Sequence, residues 1–165
     1  MADDKVKTTP LLGSIATGIG CVYVPRSGSK EQLQDTLSSL LKRTELIESE
    51  GMFPPLLIFP EGTCSNNKYL GKFRRGAFFD LRTLIPVTLK YKFGMVHPAV
   101  EAMDEPHVIF LMSCAFQYCE VEIFELPPFQ PNEYLFETHA DKGAEKWEIF
   151  AWASRDIMAK VGGFG

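Results

Sequence analysis

Pro54-Pro55 on one side and Pro60 on the other leave room for four residues, Leu56-Leu57-Ile58-Phe59, and all four are apolar. Proline fixes φ and removes a backbone donor, so it punctuates regular structure rather than continuing it. A run this short is too small for a helix, and its uninterrupted hydrophobicity predicts a strand buried on both faces. Such strands lie between layers of helices, so the flanking segments are expected to be helical.

The flanks carry that signal. Ser29 with Gln32 three residues later has the form of a reciprocal capping box. Leu33, Leu37, Leu40, Leu41 and Ile47 then recur at helical spacing until Gly51. From Lys142 to Val161 the positions Trp147, Phe150, Ala151, Ser154, Ile157, Met158 and Val161 repeat the pattern, and Gly162-Gly163 is a natural stop. Ile85 to Tyr91 predicts a second strand with Pro86 at its entry, and His107 to Phe116 and Cys119 to Leu126 predict two more. Pro127, Pro128 and Pro131 mark a turn. Alternating helices and buried strands, without repeats, predict one α/β domain over 1–165: a mostly parallel central sheet flanked by helices, with an antiparallel C-terminal part.

Composition closes several alternatives. Hydrophobic residues make up 45% and charged residues 23%, so the chain should fold. A net charge of −4 supplies no cationic field for nucleic acid, and an anionic ligand has to be held locally. Cys21, Cys64, Cys114 and Cys119 lack Cys-x-x-Cys or Cys/His spacing, so no metal site is expected. Three of the four lie in or beside apolar runs, which predicts buried, reduced thiols over a disulfide framework. Thr8 to Pro25 is uncharged and nearly long enough to cross a membrane, but its glycines, hydroxyls and prolines favour a buried helix-turn-strand.

Chemistry concentrates after the four-residue strand, in Phe59-Pro60-Glu61-Gly62-Thr63-Cys64-Ser65-Asn66-Asn67. Open α/β sheets bind ligands at the carboxyl ends of their strands. Gly62 allows close backbone approach, Thr63 and Ser65 add hydroxyls, and the loop amides can face an anion. Glu61 cannot bind phosphate and would accept a hydrogen bond from an arginine or from a ligand hydroxyl. The loop ends in Lys72-Phe73-Arg74-Arg75-Gly76, a basic cluster whose arginine forks suit phosphate. Gly20 to Arg26 reads as a strand ending on Arg26, which would emerge at the same sheet edge as Glu61.

These blocks resemble the glycerolipid acyltransferases. Phe59-Pro60-Glu61-Gly62-Thr63 with Ser65 is similar to the third block of that family, Gly20 to Arg26 to the second, and Ile85-Pro86-Val87 to the fourth. Phe73-Arg74-Arg75-Gly76-Ala77-Phe78 resembles the basic segment between the third and fourth. Cys64, where many members have arginine, and Tyr118 to Ile123 followed by Leu126-Pro127 are most similar to the lysophosphatidylcholine acyltransferases and their endoplasmic-reticulum glycerol-3-phosphate relatives. Pro25 departs from the family, standing where aspartate is usual.

The resemblance implies an incomplete acyltransferase domain that takes a fatty acyl group from acyl-CoA, as co-substrate and with no bound cofactor, to a lysophospholipid or glycerol phosphate. It implies an acceptor site made of Arg26, Glu61, Gly62, Thr63 and Arg74, with Ser65 and Arg75 as further contacts. It also implies work at a membrane surface, on the cytosolic side of the endoplasmic reticulum. The family's first block, His followed by four residues and Asp, is not in the sequence: positions five after His97, His107 and His139 are Ala102, Met112 and Ala144. The chain is therefore expected to lack the catalytic base and to be inactive alone. The alternative is a non-catalytic module that binds lysophospholipid or phosphatidate.

Plainer readings stand beside these. Glu61, Arg74 and Arg75 would also suit a solvated loop, with the anion role favoured for Arg74 over Arg75. Cys64 has no histidine near it to make it a nucleophile. Trp147, Phe150 and Trp152 could form a membrane face, but aromatics at helical spacing favour core.

Overall fold

Residues 2–3, 7–8, 11–24, 30–50, 54–63, 68–94, 107, 110, 114 and 118–164 are described by the computed structural model. They fall into two units, Met1–Phe59 and Pro60–Gly165.

In the first unit, β1 (Ala2–Asp3) pairs in parallel with β2 (Tyr23–Val24), Ala2 opposite Tyr23 and Asp3 opposite Val24. Helix α1 (Leu12–Gly18) precedes β2. The turn between them uses Gly20 at φ 73°, where an added Cβ would stand 3.2 Å from Arg43 Nη2. The Tyr23 hydroxyl ties strand to helix through Thr17 Oγ1 at 2.8 Å and the Gly13 carbonyl at 3.3 Å. The predicted helix-turn-strand is thus present but not buried. Gly13 and Ala16 form its inward side, so the larger Leu11, Ile15 and Ile19 point outward.

Helix α2 (Lys30–Glu50) packs against β2, and its predicted stop, Gly51, lies outside the described residues. Its proposed capping residue Ser29 lies outside the described residues. Leu40 is buried, whereas Leu41, one position round the helix, is exposed. Hydroxyls of Thr36, Ser39, Thr44 and Ser49 donate to carbonyls four residues back, so this polar helix satisfies its serines and threonines internally.

The second unit is built on an antiparallel pair, β3 (Val87–Phe93) and β4 (Cys119–Glu125), in register from Val87 opposite Glu125 to Phe93 opposite Cys119. Helices α3 (Glu133–Thr138) and α4 (Lys146–Gly162) follow. One face of the pair meets the end of α4. Lys90 Nζ donates to the Gly162 carbonyl at 3.0 Å, and a Cβ on Gly162 would stand 2.8 Å from Thr88 Cγ2. Glycine is what lets β3 approach α4 there. Gly163 at φ 65° closes the helix with its N–H on Ala159, confirming the predicted stop. The core comprises Phe73, Phe78, Phe136, Ile149, Phe150, Ala151 and Met158. Phe150 is fully buried and meets the Phe78 and Phe129 rings edge-on at 5.4 and 5.2 Å. Core is therefore the correct reading for Phe150.

Several expectations are corrected, but not the antiparallel C-terminal part, which is present: the described residues form two two-stranded sheets, one parallel and one antiparallel. Leu56–Phe59 belongs to neither: Leu56 and Ile58 are half-buried, but Leu57 and Phe59 are 63% and 59% exposed, so the run is covered on one side only. Strand β3 begins two residues later than predicted, past Pro86. Between 107 and 116 the described residues, His107, Phe110 and Cys114, are helical. An apolar run without alternation does not distinguish strand from helix. Cys114 and Cys119 are exposed free thiols and Cys21 is half-buried, so apolar neighbours in sequence did not bury them. Helix α3 was not foreseen, although Asn132 caps it by accepting the Leu135 N–H at 2.9 Å. Ile157 and Val161 of α4 face outward, while Ile149 points in. No helix among the described residues is long and apolar enough to cross a membrane.

Candidate functional site

Phe73 and Phe78 bracket the basic cluster, and both are buried. Their rings stack 5.9 Å apart, and Phe78 continues onto Phe150. With Phe73 driven into the core, its neighbours Lys72 and Arg74 are left exposed, as extended backbone alternates its side chains. Hydrophobic burial thereby fixes where the cations stand.

Three ties close the loop that runs from Glu61 to this cluster. The Arg74 N–H donates to the Pro60 carbonyl at 2.8 Å. The Gly71 N–H donates to Glu61 Oε2 at 2.6 Å. Arg155 of α4 donates through Nε and Nη2 to the Leu70 carbonyl at 3.0 and 2.6 Å.

Gly62 adopts φ 67°, and a Cβ there would stand 2.9 Å from Arg74 Nε and 3.0 Å from Arg74 Cδ. The Arg74 side chain thus lies across the bare Gly62 backbone, a position that glycine alone allows. No carboxylate among the described residues pairs with Arg74, so its donors are available to an anion. Thr63 is exposed at the same turn.

Glu61, Gly62, Thr63 and Arg74 are therefore brought together. Arg26 and Ser65 lie outside the described residues, as does Cys64. Arg75 turns to the surface, 3.9 Å from the Glu145 carboxylate. Glu61 Oε2 accepts the Gly71 backbone N–H, a donor not foreseen from the sequence. Its second oxygen has no partner among the described residues and can accept from a ligand hydroxyl.

Gly71 and Arg155 were not singled out from sequence. A Cβ on Gly71 would lie 2.9 Å from Glu61 Oε2, so any other residue there would make the carboxylate shift from its bond to the amide. A glycine ten residues after Glu61, just before the basic cluster, is the only sequence trace of that contact. Arg155 leaves no trace, because its partner is a backbone carbonyl 85 positions away.

The family model described as Acyltransferase matches residues 1–109, well over half of the chain and inclusive of the whole loop. The chain belongs to the acyltransferase family. It is 30% identical over 134 residues to a lysophospholipid acyltransferase of Arabidopsis thaliana, covering 81% of this chain and 33% of the relative. To lysophosphatidylcholine acyltransferase 1 of Homo sapiens it is 32% identical over 126 residues, covering 75% of this chain and 23% of the relative. To the lysophosphatidylcholine acyltransferase of Drosophila melanogaster it is 32% identical over 165 residues, covering 98% and 28%. This acyltransferase chain thus spans between about a quarter and a third of the length of these relatives. No solved structure matches it. The resemblance to glycerolipid acyltransferases read from the sequence blocks holds.

Proposed function

We propose that the chain is the acceptor-holding part of an acyltransferase domain that passes a fatty acyl group from acyl-CoA to a lysophospholipid or glycerol phosphate. The observation that carries this reading is the Arg74 guanidinium, unpaired among the described residues, laid over Gly62 beside Glu61 and Thr63. Arg74 supplies the fork for phosphate, the Gly62 backbone allows close approach, and Thr63 adds a hydroxyl donor. Glu61 fixes the loop through one oxygen and offers the other to a hydroxyl of the acceptor. Arg26 and Ser65 belong to this reading through their place in the motifs, and Arg75, already engaged with Glu145, contributes least.

The acceptor hydroxyl would attack the thioester carbonyl of acyl-CoA once a base removed its proton. The 165 residues contain no His-x-x-x-x-Asp pair, so binding without turnover is expected of the chain alone. The proposal includes work at the cytosolic face of the endoplasmic reticulum membrane, a reading supported by the kinship to lysophospholipid acyltransferases. A mostly parallel sheet also remains part of it, supported by the parallel β1–β2 pair and by the exposed Leu57 and Phe59, which a further layer would cover.

Calorimetric titration of the purified chain with glycerol 3-phosphate and with lysophosphatidylcholine is the direct test. A charge-assisted hydrogen bond contributes about 1.5–3 kcal/mol, so Arg74→Gln should weaken binding roughly tenfold to a hundredfold. Equal affinity in wild type and Arg74→Gln would remove the site. Robust release of CoA by the chain, supplied with acyl-CoA and lysophosphatidylcholine, would instead refute its need for a separate base.

A further inference from the structure

Leu70 C=O and Gly71 N–H are the two ends of one peptide group, and each end is held by a charged side chain. The Arg155 fork meets the oxygen at 3.0 and 2.6 Å, and the Glu61 carboxylate meets the N–H at 2.6 Å. The peptide dipole therefore points its negative end at a cation and its positive end at an anion. Bonds arranged in series through a polarisable group strengthen one another.

We infer that Arg155 is a positioning residue of the acceptor site, acting through the 70–71 peptide on Glu61 and the Gly62 turn. This rests on the reading of that turn as a phosphate site. Arg155 is half-buried on α4, beside Ser154, whose side chain is 1% exposed and whose hydroxyl donates to the Phe150 carbonyl. Its guanidinium is thereby referenced to the most deeply packed part of the protein. Through Leu70 it fixes the start of the basic cluster, and through Gly71 it fixes the one carboxylate oxygen that anchors the motif turn. Arg155 lies beyond the residues that the family model matches. Its hydrogen bonds among the described residues end on Leu70 rather than on the turn, so its influence has to travel through that peptide.

Three arms on the purified chain test this: Arg155→Met, which keeps the aliphatic stem, Arg155→Lys, which keeps one charge, and Glu61→Gln. Without ligand, amide exchange followed by NMR should accelerate about tenfold at Gly71 in Arg155→Met, with α4 amides such as Met158 unchanged. Uniform acceleration across the unit, or an unchanged Gly71, overturns the proposal. Arg155→Lys should fall between Met and wild type, and it stands in if Arg155→Met does not fold. With glycerol 3-phosphate as probe, Arg155→Met and Glu61→Gln should each weaken binding about tenfold. Together they should weaken it little more than Glu61→Gln alone, because Arg155 acts on the acceptor through Glu61. A combined loss near a hundredfold means independent effects and sinks the inference. The ionic-strength dependence of binding should flatten in Arg74→Gln, which removes a direct charge contact, and stay as steep as wild type in Arg155→Met. Absence of any phosphate binding by wild type would overturn the site reading alone, since the exchange experiment still decides whether Arg155 and Glu61 act through the peptide.

Discussion

Helices α2 and α4 are both long and both show apolar residues at helical spacing, yet they are held in different ways. Among its described side chains, the 21-residue α2 buries Leu40 and relies on hydroxyls bonded back along its own backbone. The 17-residue α4 buries Ile149, Phe150, Ala151, Ser154, Met158 and Gly162. It starts in a reciprocal box between Glu145 and Glu148 and ends on left-handed Gly163. A similar sequence period thus accompanies very different amounts of tertiary support, since period reports a face and not what covers it. The candidate site sits with the better supported helix. Phe73 and Phe78 join the α4 core, and Arg155 reaches from α4 to the loop.

The strongest way to break this contrast is Phe150→Ala. Truncating a fully buried phenylalanine costs about 3–5 kcal/mol through lost transfer energy and the cavity left behind. The denaturation midpoint of the Pro60–Gly165 unit should fall accordingly, and the Phe73 anchor of the basic cluster should loosen with it. Amide protection along α2 should be unchanged. Equal loss of protection in α2 would mean that the two helices share one cooperative support.

The converse experiment is Leu40→Ala, expected at the lower end of the leucine range, about 2 kcal/mol, because no other described side chain of α2 is buried. Hydrogen exchange should rise across α2 while Gly71 and the α4 amides keep theirs. No change in α2 would show that propensity and internal hydroxyl bonds suffice to hold it, and the contrast would then be one of kind rather than degree.

The same contrast explains what could be read from the sequence. The helix end at Gly163, the strand from Cys119 and the motif turn at Gly62 follow local rules of capping, alternation and positive φ, and all were legible. Cover was not. Leu57, Phe59, Ile15 and Cys119 look buried in sequence because they are apolar, but burial depends on what lies opposite. At His107, Phe110 and Cys114, the described residues of the third predicted strand, helix stands where strand was expected, because an apolar run without alternation fits either period. In the site, the motif residues were legible and their partners were not. The Glu61 bond to the Gly71 amide and the Arg155 bond to the Leu70 carbonyl both end on backbone, which is the same at every position.

The smallest expected effect tests the surface of the same unit. Lys92 of β3 hydrogen-bonds Glu122 of β4 and also lies 3.7 Å from Glu120. The Lys92 bond, followed by opposing desolvation and the Lys92 charge, leaves the Glu122 carboxyl below its ordinary pKa. The Glu122 bond likewise raises Lys92 above its ordinary value. A depressed carboxylate pKa contributes stability that is full above the unfolded value and is lost as pH falls through the folded one. A raised ammonium pKa contributes stability that is full below its unfolded value and is lost as pH rises through the folded one. The pair therefore acts between the ordinary glutamate and lysine ranges, including neutral pH. Both groups are solvent-exposed, so screening keeps the effect small. Glu122→Gln should melt slightly below wild type at pH 7, converge on it as pH falls well below the ordinary glutamate range and the carboxyl is protonated, and approach it in high salt. A melting difference at neutral pH as large as that of Leu40→Ala would place real support on the outer strand surface. Stability of the site-bearing unit would then no longer trace to the Phe150 core alone.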